Sequence, residues 1–342
     1  MAYTDIDKPS DYFNTVTYTA SGSGQSVTGV NFQPDLVWLK IRNTTGSHYL
    51  NDSVRGVQKS IYSNETDAET SDNYLTSFDS DGFSLGSGNY TSPNTIVGWN
   101  WLASNTTASN TDGSITSTVS ANTTSGFSIA TYTGNGTAGA DIGHGLGDTP
   151  ACVIIKPRTT TGNNNWIFYH KSLGTGNYLY LNTTDASSSA GGAWLTPSSS
   201  TIEFTQSFAV TNNSGSDFVC YSFAEKKGFS KFGSYTGNGS TDGTFVYTGF
   251  KPAFIIVKRT DSADDWVAVD NKRVGYNPDT RFLYPNSSGA EETLSDRFDI
   301  VSNGFKLRNS WTKINASGGS YIYMAFAENP FVTSTGICCT SR

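Results

Sequence analysis

The chain has 342 residues, with 22 lysines and arginines against 29 aspartates and glutamates, and a formal net charge of −7. This length allows roughly two to four domains, and the acidic balance argues against a nucleic-acid partner, which requires clustered positive charge. Charged residues make up only 15% of the chain and aromatic residues 13%. The composition is therefore that of a folded protein coated mainly with hydroxyl and amide groups.

Residues 1–8 are acidic and lack the apolar core of a signal peptide, and no run approaches the roughly 20 apolar residues of a membrane span. The sequence therefore predicts synthesis in a cytoplasm without membrane insertion. Four cysteines in a chain of this length do not indicate a disulfide scaffold. Cys152 and Cys220 lie in apolar runs and are expected to be buried free thiols.

Three copies of one pattern follow each other along the chain. Each copy opens on a tyrosine and a turn: Tyr18-Thr-Ala-Ser-Gly22, Tyr132-Thr-Gly-Asn-Gly136 and Tyr235-Thr-Gly-Asn-Gly239. An apolar run then ends in lysine: Leu36-Val-Trp-Leu-Lys40, Cys152-Val-Ile-Ile-Lys156 and Phe254-Ile-Ile-Val-Lys258. Each copy closes on an aromatic run: Trp99-Asn-Trp-Leu-Ala103, Cys220-Tyr-Ser-Phe-Ala224 and Tyr323-Met-Ala-Phe-Ala327. Before the closing run lie Ser80-Asp-Gly-Phe83, Ser302-Asn-Gly-Phe305 and a degraded copy, Thr205-Gln-Ser-Phe208.

The repeat is about as long as a domain and too long for a solenoid unit. We predict a first repeat over residues 1–104, a linker and second repeat over 105–228, a third repeat over 229–332, and a tail over 333–342. Short β-branched and aromatic runs between turn residues predict an all-β fold of three tandem homologous β-sandwich domains, of jelly-roll or lectin-like type. The Asn-Gly and Asp-Gly pairs at 81–82, 135–136, 238–239 and 303–304 are predicted as hairpin turns.

The apolar runs lack the alternation of a half-buried strand, so each is predicted to be buried on both faces. One face suits the core of a sandwich, and the other requires an adjacent repeat or another subunit. We therefore expect tight packing between domains or a homo-oligomer, with a trimer as one candidate; the alternative cover is a loop or short helix of the same domain. The residues assigned to this packing are Leu36, Trp38, Ile154, Ile256, Tyr323 and Phe326.

The sequence contains no zinc, nucleotide or nucleophile motif, and the prediction is a protein without enzymatic activity or cofactor. His144, in a glycine-rich loop, is expected to be solvated. Asp261, Asp264 and Asp265 form a weak calcium candidate, with a solvated hairpin tip as the alternative. Trp194 and Trp311 lie outside the shared pattern, and each is either a stacking platform for a glycan or a loop aromatic packed against its own domain.

The repeat also carries longer motifs, Gly249-Phe-Lys-Pro-Ala-Phe-Ile-Ile-Val-Lys258 and Asn315-Ala-Ser-Gly-Gly-Ser-Tyr-Ile-Tyr-Met-Ala-Phe-Ala-Glu-Asn-Pro330. With the Tyr-Thr-Gly-Asn-Gly turn and residues 1–15, these resemble a repeat of tailed bacteriophages of marine bacteria, including cyanophages. The resemblance implies a virion structural protein, a tail fibre or appendage that assembles with other virion proteins in the host cytoplasm and contacts a host surface glycan. The alternatives are a head-attached fibre or capsid decoration protein, a glycan-binding lectin-like module, and a polysaccharide-cleaving tailspike.

Overall fold

The computed structural model describes residues 4–87, 93–160, 163–174, 176–190 and 195–338. Almost all of their regular structure is β, which confirms the predicted all-β class. The strands form six sheets, which are grouped into three pairs. In each pair we call the sheet that contains the apolar run the larger sheet and its partner the smaller sheet, although both sheets of the third pair have four strands.

The first pair precedes residue 102 and follows a short 3-10 helix, Pro9–Asp11. Its larger sheet has the order β1-β9-β3-β4-β5-β6 and its smaller sheet the order β2-β8-β7 in the numbering that follows. The strands are β1 (Phe13–Thr19), β2 (Gln25–Thr28), β3 (Leu36–Ile41), β4 (Tyr49–Asp52), β5 (Lys59–Tyr62), β6 (Thr70–Ser71), β7 (Leu75–Asp79), β8 (Gly82–Leu85) and β9 (Thr95–Trp101).

The second pair contains a 3-10 helix, Lys171–Leu173, and a four-residue helix, α1 (Ala209–Asn212). Its strands are β10 (Ala108–Asn110), β11 (Ser117–Asn122), β12 (Phe127–Thr133), β13 (Ala140–Gly143), β14 (Cys152–Pro157), β15 (Ile167–His170), β16 (Leu179–Tyr180), β17 (Leu195–Pro197), β18 (Thr201–Phe204) and β19 (Asp217–Phe223). The sheets have the orders β10-β11-β12-β19-β14-β15-β16 and β13-β18-β17.

The third pair contains a second four-residue helix, α2 (Thr312–Asn315). Its strands are β20 (Ser230–Thr236), β21 (Phe245–Tyr247), β22 (Phe250–Arg259), β23 (Val267–Asp270), β24 (Asp279–Phe282), β25 (Glu292–Val301), β26 (Gly304–Leu307) and β27 (Ser320–Pro330). The sheets have the orders β20-β27-β22-β23 and β21-β26-β25-β24.

The three larger sheets share one antiparallel arrangement, in which the closing strand lies between the opening strand and the apolar run. This arrangement is β1-β9-β3-β4 in the first pair, β12-β19-β14-β15 in the second and β20-β27-β22-β23 in the third. The registers agree as well. The paired residues are Leu36 with Trp101, Cys152 with Phe223, and Phe254 with Phe326.

The two sheets of each pair enclose a core of their own, as expected of a sandwich. In the first pair Val37 and Leu39 of β3 share a buried cluster with Val27, Leu75 and Phe83 of the smaller sheet. The second and third pairs have equivalent clusters, which contain Cys220 and Tyr323 of the closing strands.

A fourth buried cluster, which we call the central core, lies where the three larger sheets meet. It contains the alternate residues of the same strands, among them Leu36 and Trp38 of β3, Ile154 of β14, and Phe254 and Ile256 of β22. Because successive residues of a strand point to opposite faces, each apolar run serves its own core and the central core at once. The second face of each run is therefore covered by the other sheet pairs of the same chain. Since all three pairs contribute to one core, their division into independent domains stays a prediction.

Two landmarks align differently in the structure than in the sequence pattern. The register places Trp99, Tyr221 and Met324 at one position. The closing runs that begin at Trp99 and Cys220 in the sequence pattern are therefore aligned wrongly by one residue. The slip matters because one residue exchanges the two faces of a strand. Similarly, the second copy of the Asp-Gly-Phe landmark is not at 205–208: Ile202 is opposite Ile142, as Phe83 is opposite Val27.

The glycine of this landmark is required by a close approach of two strands. A Cβ atom on Gly82 would lie 2.0 Å from the carbonyl oxygen of Val27, and one on Gly304 would lie 2.0 Å from that of Val246. The turns before these glycines are hairpins, as predicted, and join β7 to β8 and β25 to β26.

The Asn-Gly pairs at 135–136 and 238–239 are not hairpin turns, and that prediction was wrong. Each lies where the chain crosses from a larger sheet to a smaller one. A buried asparagine holds each crossing: Asn212 accepts a hydrogen bond from the Asn135 N–H, and Asn315 accepts one from the Asn238 N–H, both at 2.9 Å. The Asn-Gly pair was misleading because the backbone N–H of this turn is bonded by a buried side chain that is distant in sequence, and not by the partner strand of a hairpin.

Candidate functional site

Neighbouring larger sheets contact each other at three places that we call seams. At each seam, one pair contributes residues on or near the strand of its apolar run (β3, β14 or β22) and the next strand in the chain. These residues contact a segment from a neighbouring pair. The segments are residues 284–291 facing the first pair, 62–69 facing the second, and 180–187 facing the third. The first pair contacts the segment of the third pair, the second pair contacts that of the first, and the third pair contacts that of the second. The three contacts therefore close a ring.

A ring N–H crosses every seam at the same position. Trp166 donates to the carbonyl oxygen of Tyr62 at 2.9 Å, and Trp266 donates to that of Tyr180 at 3.1 Å. In the remaining seam His48 takes the place of the tryptophan and lies 3.0 Å from the carbonyl oxygen of Tyr284. Trp38 donates to Nδ1 of His48 at 2.9 Å, so Nε2 carries the proton and is the donor.

A buried lysine also crosses every seam. The Nζ atoms of Lys40, Lys156 and Lys258 donate to backbone carbonyl oxygens of Ser288, Thr66 and Thr184, at 3.3, 3.1 and 3.2 Å. Burial lowers the pKa of Lys156 to about 7 and the pKa of Lys40 and of Lys258 to about 8. The repeated lysines therefore join the sheet pairs.

The buried lysines predict a dependence of stability on pH. Because the pKa of Lys156 is about 7 in the folded chain and about 10.5 in the unfolded chain, the unfolded state binds more protons between these two pH values, and the free energy of unfolding rises with pH in that range. In Lys156→Met this slope is expected to fall by up to about 1.4 kcal/mol per pH unit, as measured by urea unfolding at several pH values. Lys8→Met, at a side chain that is 67% exposed, should leave it unchanged; equal slopes in both variants contradict the prediction.

Two of the seams carry a network of charges. Arg158 binds Glu69 through two hydrogen bonds of 2.9 and 3.0 Å, and Glu69 also pairs with Arg55. Burial alone would raise the pKa of Glu69, but the hydrogen bond from Arg158 and the charges of both arginines lower it. Arg42, Glu291 and Arg273 repeat this arrangement between the first and third pairs.

The seam between the second and third pairs has neutral residues at the equivalent positions, where Ser187 replaces Glu69 and Thr260 replaces Arg158. There the N–H and the hydroxyl of Ser187 both donate to the carbonyl oxygen of Thr260, at 2.9 and 3.1 Å. His170 stands where the other pairs have Asp52 and Asp270, and its Nε2 lies 3.1 Å from the carbonyl oxygen of Tyr323. Burial lowers the pKa of His170 to about 4.

The residues assigned to packing all lie inside this ring. Five are in the central core, namely Leu36, Trp38, Ile154, Ile256 and Phe326, whereas Tyr323 is in the core of the third pair. Each is buried to at least 95% within the single chain. These side chains offer no surface to a second subunit, so a homo-oligomer is not needed to cover them.

Of the two tryptophans proposed as glycan platforms, the structure describes Trp311. Trp311 is half-buried, and its ring lies 5.3 Å from that of Phe282 and 5.4 Å from the guanidinium of Arg297. These contacts are those of an aromatic residue packed against its own sheet pair. Trp194 lies outside the described residues.

The three aspartates of the calcium candidate have separate partners. Asp261 accepts from Arg259 at 2.9 Å, Asp265 pairs with Lys313, and the backbone N–H of Asp264 donates to Thr184. Within the ranges that the structure describes, no three histidine, cysteine or carboxylate side chains are grouped as ligands for a metal ion. His144, expected in solvent, is buried instead, and its Nδ1 accepts from the N–H of Leu146.

A groove of about 450 Å³ lies at residues that sequence reasoning did not bring together. Its lining combines four segments that are distant in sequence. They are Asp5, a segment within residues 225–231 at the start of the third pair, residues 247–249, and residues 331–332. Backbone hydrogen bonds from Asp5 to Lys227 and from Phe331 to Gly249 hold these segments together. The one hint in the sequence is the alternation along β21, in which Phe245 and Tyr247 are exposed and the residue between them is buried.

Comparison with known proteins gives one match. Residues 8–330 match the model of a domain of unknown function, DUF7483. The chain belongs to the DUF7483 family. No curated protein and no solved structure matches it. The match extends from before β1 to the end of β27, so one DUF7483 unit spans all three sheet pairs. Both α-helices in the described part of this DUF7483 chain have four residues, and no helix there is long enough to cross a membrane.

Proposed function

We propose that this chain is a structural protein of a bacteriophage virion, a tail fibre or appendage without enzymatic activity that contributes to attachment to the host surface. One observation carries the proposal: the features that the three copies share have tasks within the fold. The tyrosine turns cross between sheets, the apolar runs fill two cores, and the lysines join the seams. A repeat retained for architecture is typical of a structural component, and the phage resemblance of the same motifs gives the setting.

The ring supports a role in which the chain acts as a rigid block. The central core joins all three sheet pairs, and the seams add hydrogen bonds and ion pairs at its margin. A platform of this kind holds its outer loops in fixed positions, as an attachment protein requires. Any self-association in this proposal, including the trimer, uses surface outside the central core.

Immunogold electron microscopy of intact virions tests the proposal. Gold on the tail supports a tail fibre. Gold over the head supports the alternative, a head-attached fibre or capsid decoration protein. Virions without gold, in a preparation where an antibody to the major capsid protein labels them, contradict a place in the virion. Release of new reducing ends from host surface polysaccharide by the purified chain would contradict the absence of enzymatic activity and support the tailspike.

The glycan-binding alternative is favoured by a separate observation, the groove at Tyr247. Its side chain is 58% exposed, and the groove places it among charged and polar groups. An exposed aromatic ring beside hydrogen-bonding groups is a common arrangement for binding small polar ligands. This function is compatible with a virion appendage.

A further inference from the structure

One part of the groove wall is the aromatic side chain of Tyr247. Tyr247 ends β21, an edge strand of its sheet, and Gly249 follows two residues later. A Cβ atom added to Gly249 would lie 3.6 Å from the hydroxyl oxygen of Tyr247 and 3.8 Å from two ring carbons. The tyrosine side chain therefore rests against the glycine, while more than half of it stays open to solvent.

Glu225 and Lys231 line the same groove as Tyr247 and supply a hydrogen-bond acceptor and a donor. Lys231 Nζ lies 2.6 Å from one carboxylate oxygen of Glu225, and Lys171 Nζ lies 2.6 Å from the other. Burial alone would raise the pKa of Glu225, but the hydrogen bonds from both lysines lower it. The carboxylate therefore stays ionised at neutral pH. An ammonium and a carboxylate side by side can respectively donate to and accept from neighbouring hydroxyl groups.

The formal charges of the four ionised side chains that line the groove cancel, and Lys171, which pairs with Glu225, is outside this lining. Asp5 and Glu225 contribute two negative charges, and Lys227 and Lys231 contribute two positive charges. A charged ligand would gain little net attraction and would compete with the existing ion pairs. A neutral ligand with several hydroxyl groups would use both kinds of partner without leaving a charge uncompensated.

We propose that this groove binds a neutral saccharide, with a sugar ring stacked on Tyr247 and hydroxyl groups bonded to Lys231 and Glu225. The volume of about 450 Å³ is within the usual range of small-molecule sites. The inference rests on the proposed attachment function and names its ligand class and contact residues. It replaces Trp311, whose ring is occupied by Phe282 and Arg297, as the stacking residue.

Saturation-transfer NMR and titration calorimetry on the full chain test this site, with lactose, maltose, cellobiose and sialyllactose as probes. At least one neutral disaccharide is expected to bind, and Tyr247→Ala should weaken its affinity about tenfold. Phe245→Ala is the matched control, because Phe245 lies on the same strand, is 45% exposed and does not line the groove. Its affinity should stay within about twofold of the wild type.

Three results would overturn the assignment: binding of none of the four probes, equal affinities in Tyr247→Ala and Phe245→Ala, or a preference for sialyllactose. Lys231→Ala gives an independent check, because loss of the ammonium group removes a hydrogen-bond donor and should also weaken saccharide binding. Near-identical melting temperatures of the variants would exclude unfolding as the cause. Gold on virions without saccharide binding would reject only this site, whereas saccharide binding without gold would reject the virion role.

Discussion

Phe254→Ala is expected to lower the free energy of unfolding by about 3–5 kcal/mol. The ring is fully buried in the central core, and its centroid lies 5.1 Å from that of Trp99 and 5.7 Å from those of Phe13 and Trp101. All three neighbours belong to the first sheet pair, so the substitution opens a cavity between two pairs. Such a cavity is costly because tightly packed surroundings close only in part.

Urea unfolding followed by tryptophan fluorescence and circular dichroism measures this effect. Phe245→Ala removes the same side chain from an exposed position, and its effect should be within about 0.5 kcal/mol. A loss in Phe254→Ala no larger than in the control would contradict a shared core. We also expect the two probes to report one transition, because the central core couples the three pairs. Separate transitions would show instead that the pairs unfold independently.

Arg55→Met is expected to destabilise the chain by about 3–5 kcal/mol. The side chains of Arg55 and Asp52 are fully buried, and the guanidinium lies 2.5 Å from the carboxylate. Arg55 also donates to Glu69 at 3.1 Å and to the carbonyl oxygen of Leu50 at 2.8 Å. Methionine fills similar space but leaves the Asp52 charge in the interior with only neutral hydrogen-bond donors.

The second sheet pair offers a matched control for this substitution. Leu173 follows His170 by three residues, as Arg55 follows Asp52, and His170 and Asp52 have equivalent registers. Leu173→Met conserves side-chain volume and leaves no buried charge without a partner. It should therefore lower the free energy of unfolding by less than about 1.5 kcal/mol. Thermal and urea unfolding compare the two variants. Similar losses at both positions would mean that the ion pair contributes no more than packing does.

The candidate site shows the limit of local reasoning. Tyr247, Lys231 and Glu225 carry no recognisable motif, and they become neighbours because the groove combines distant segments. Trp311 looks equally exposed in the sequence, yet Phe282 and Arg297 cover part of it. The exposure of an aromatic side chain depends on contacts that sequence spacing does not record. The same reason explains His144, which is buried although its glycine-rich segment resembles an open loop.

The amino-acid sequence by itself determined the β class, the repeated apolar strands and their burial on both faces, because these follow from composition and from periodicity along one strand. Only the tertiary structure decided what covers the second face. A repeat of the same chain and another subunit would offer the same apolar surface, so the runs at 36–39, 152–155 and 254–257 are compatible with either. The central core and the seams supply the answer, since His48, Trp166 and Trp266 each bond to a neighbouring pair of their own chain.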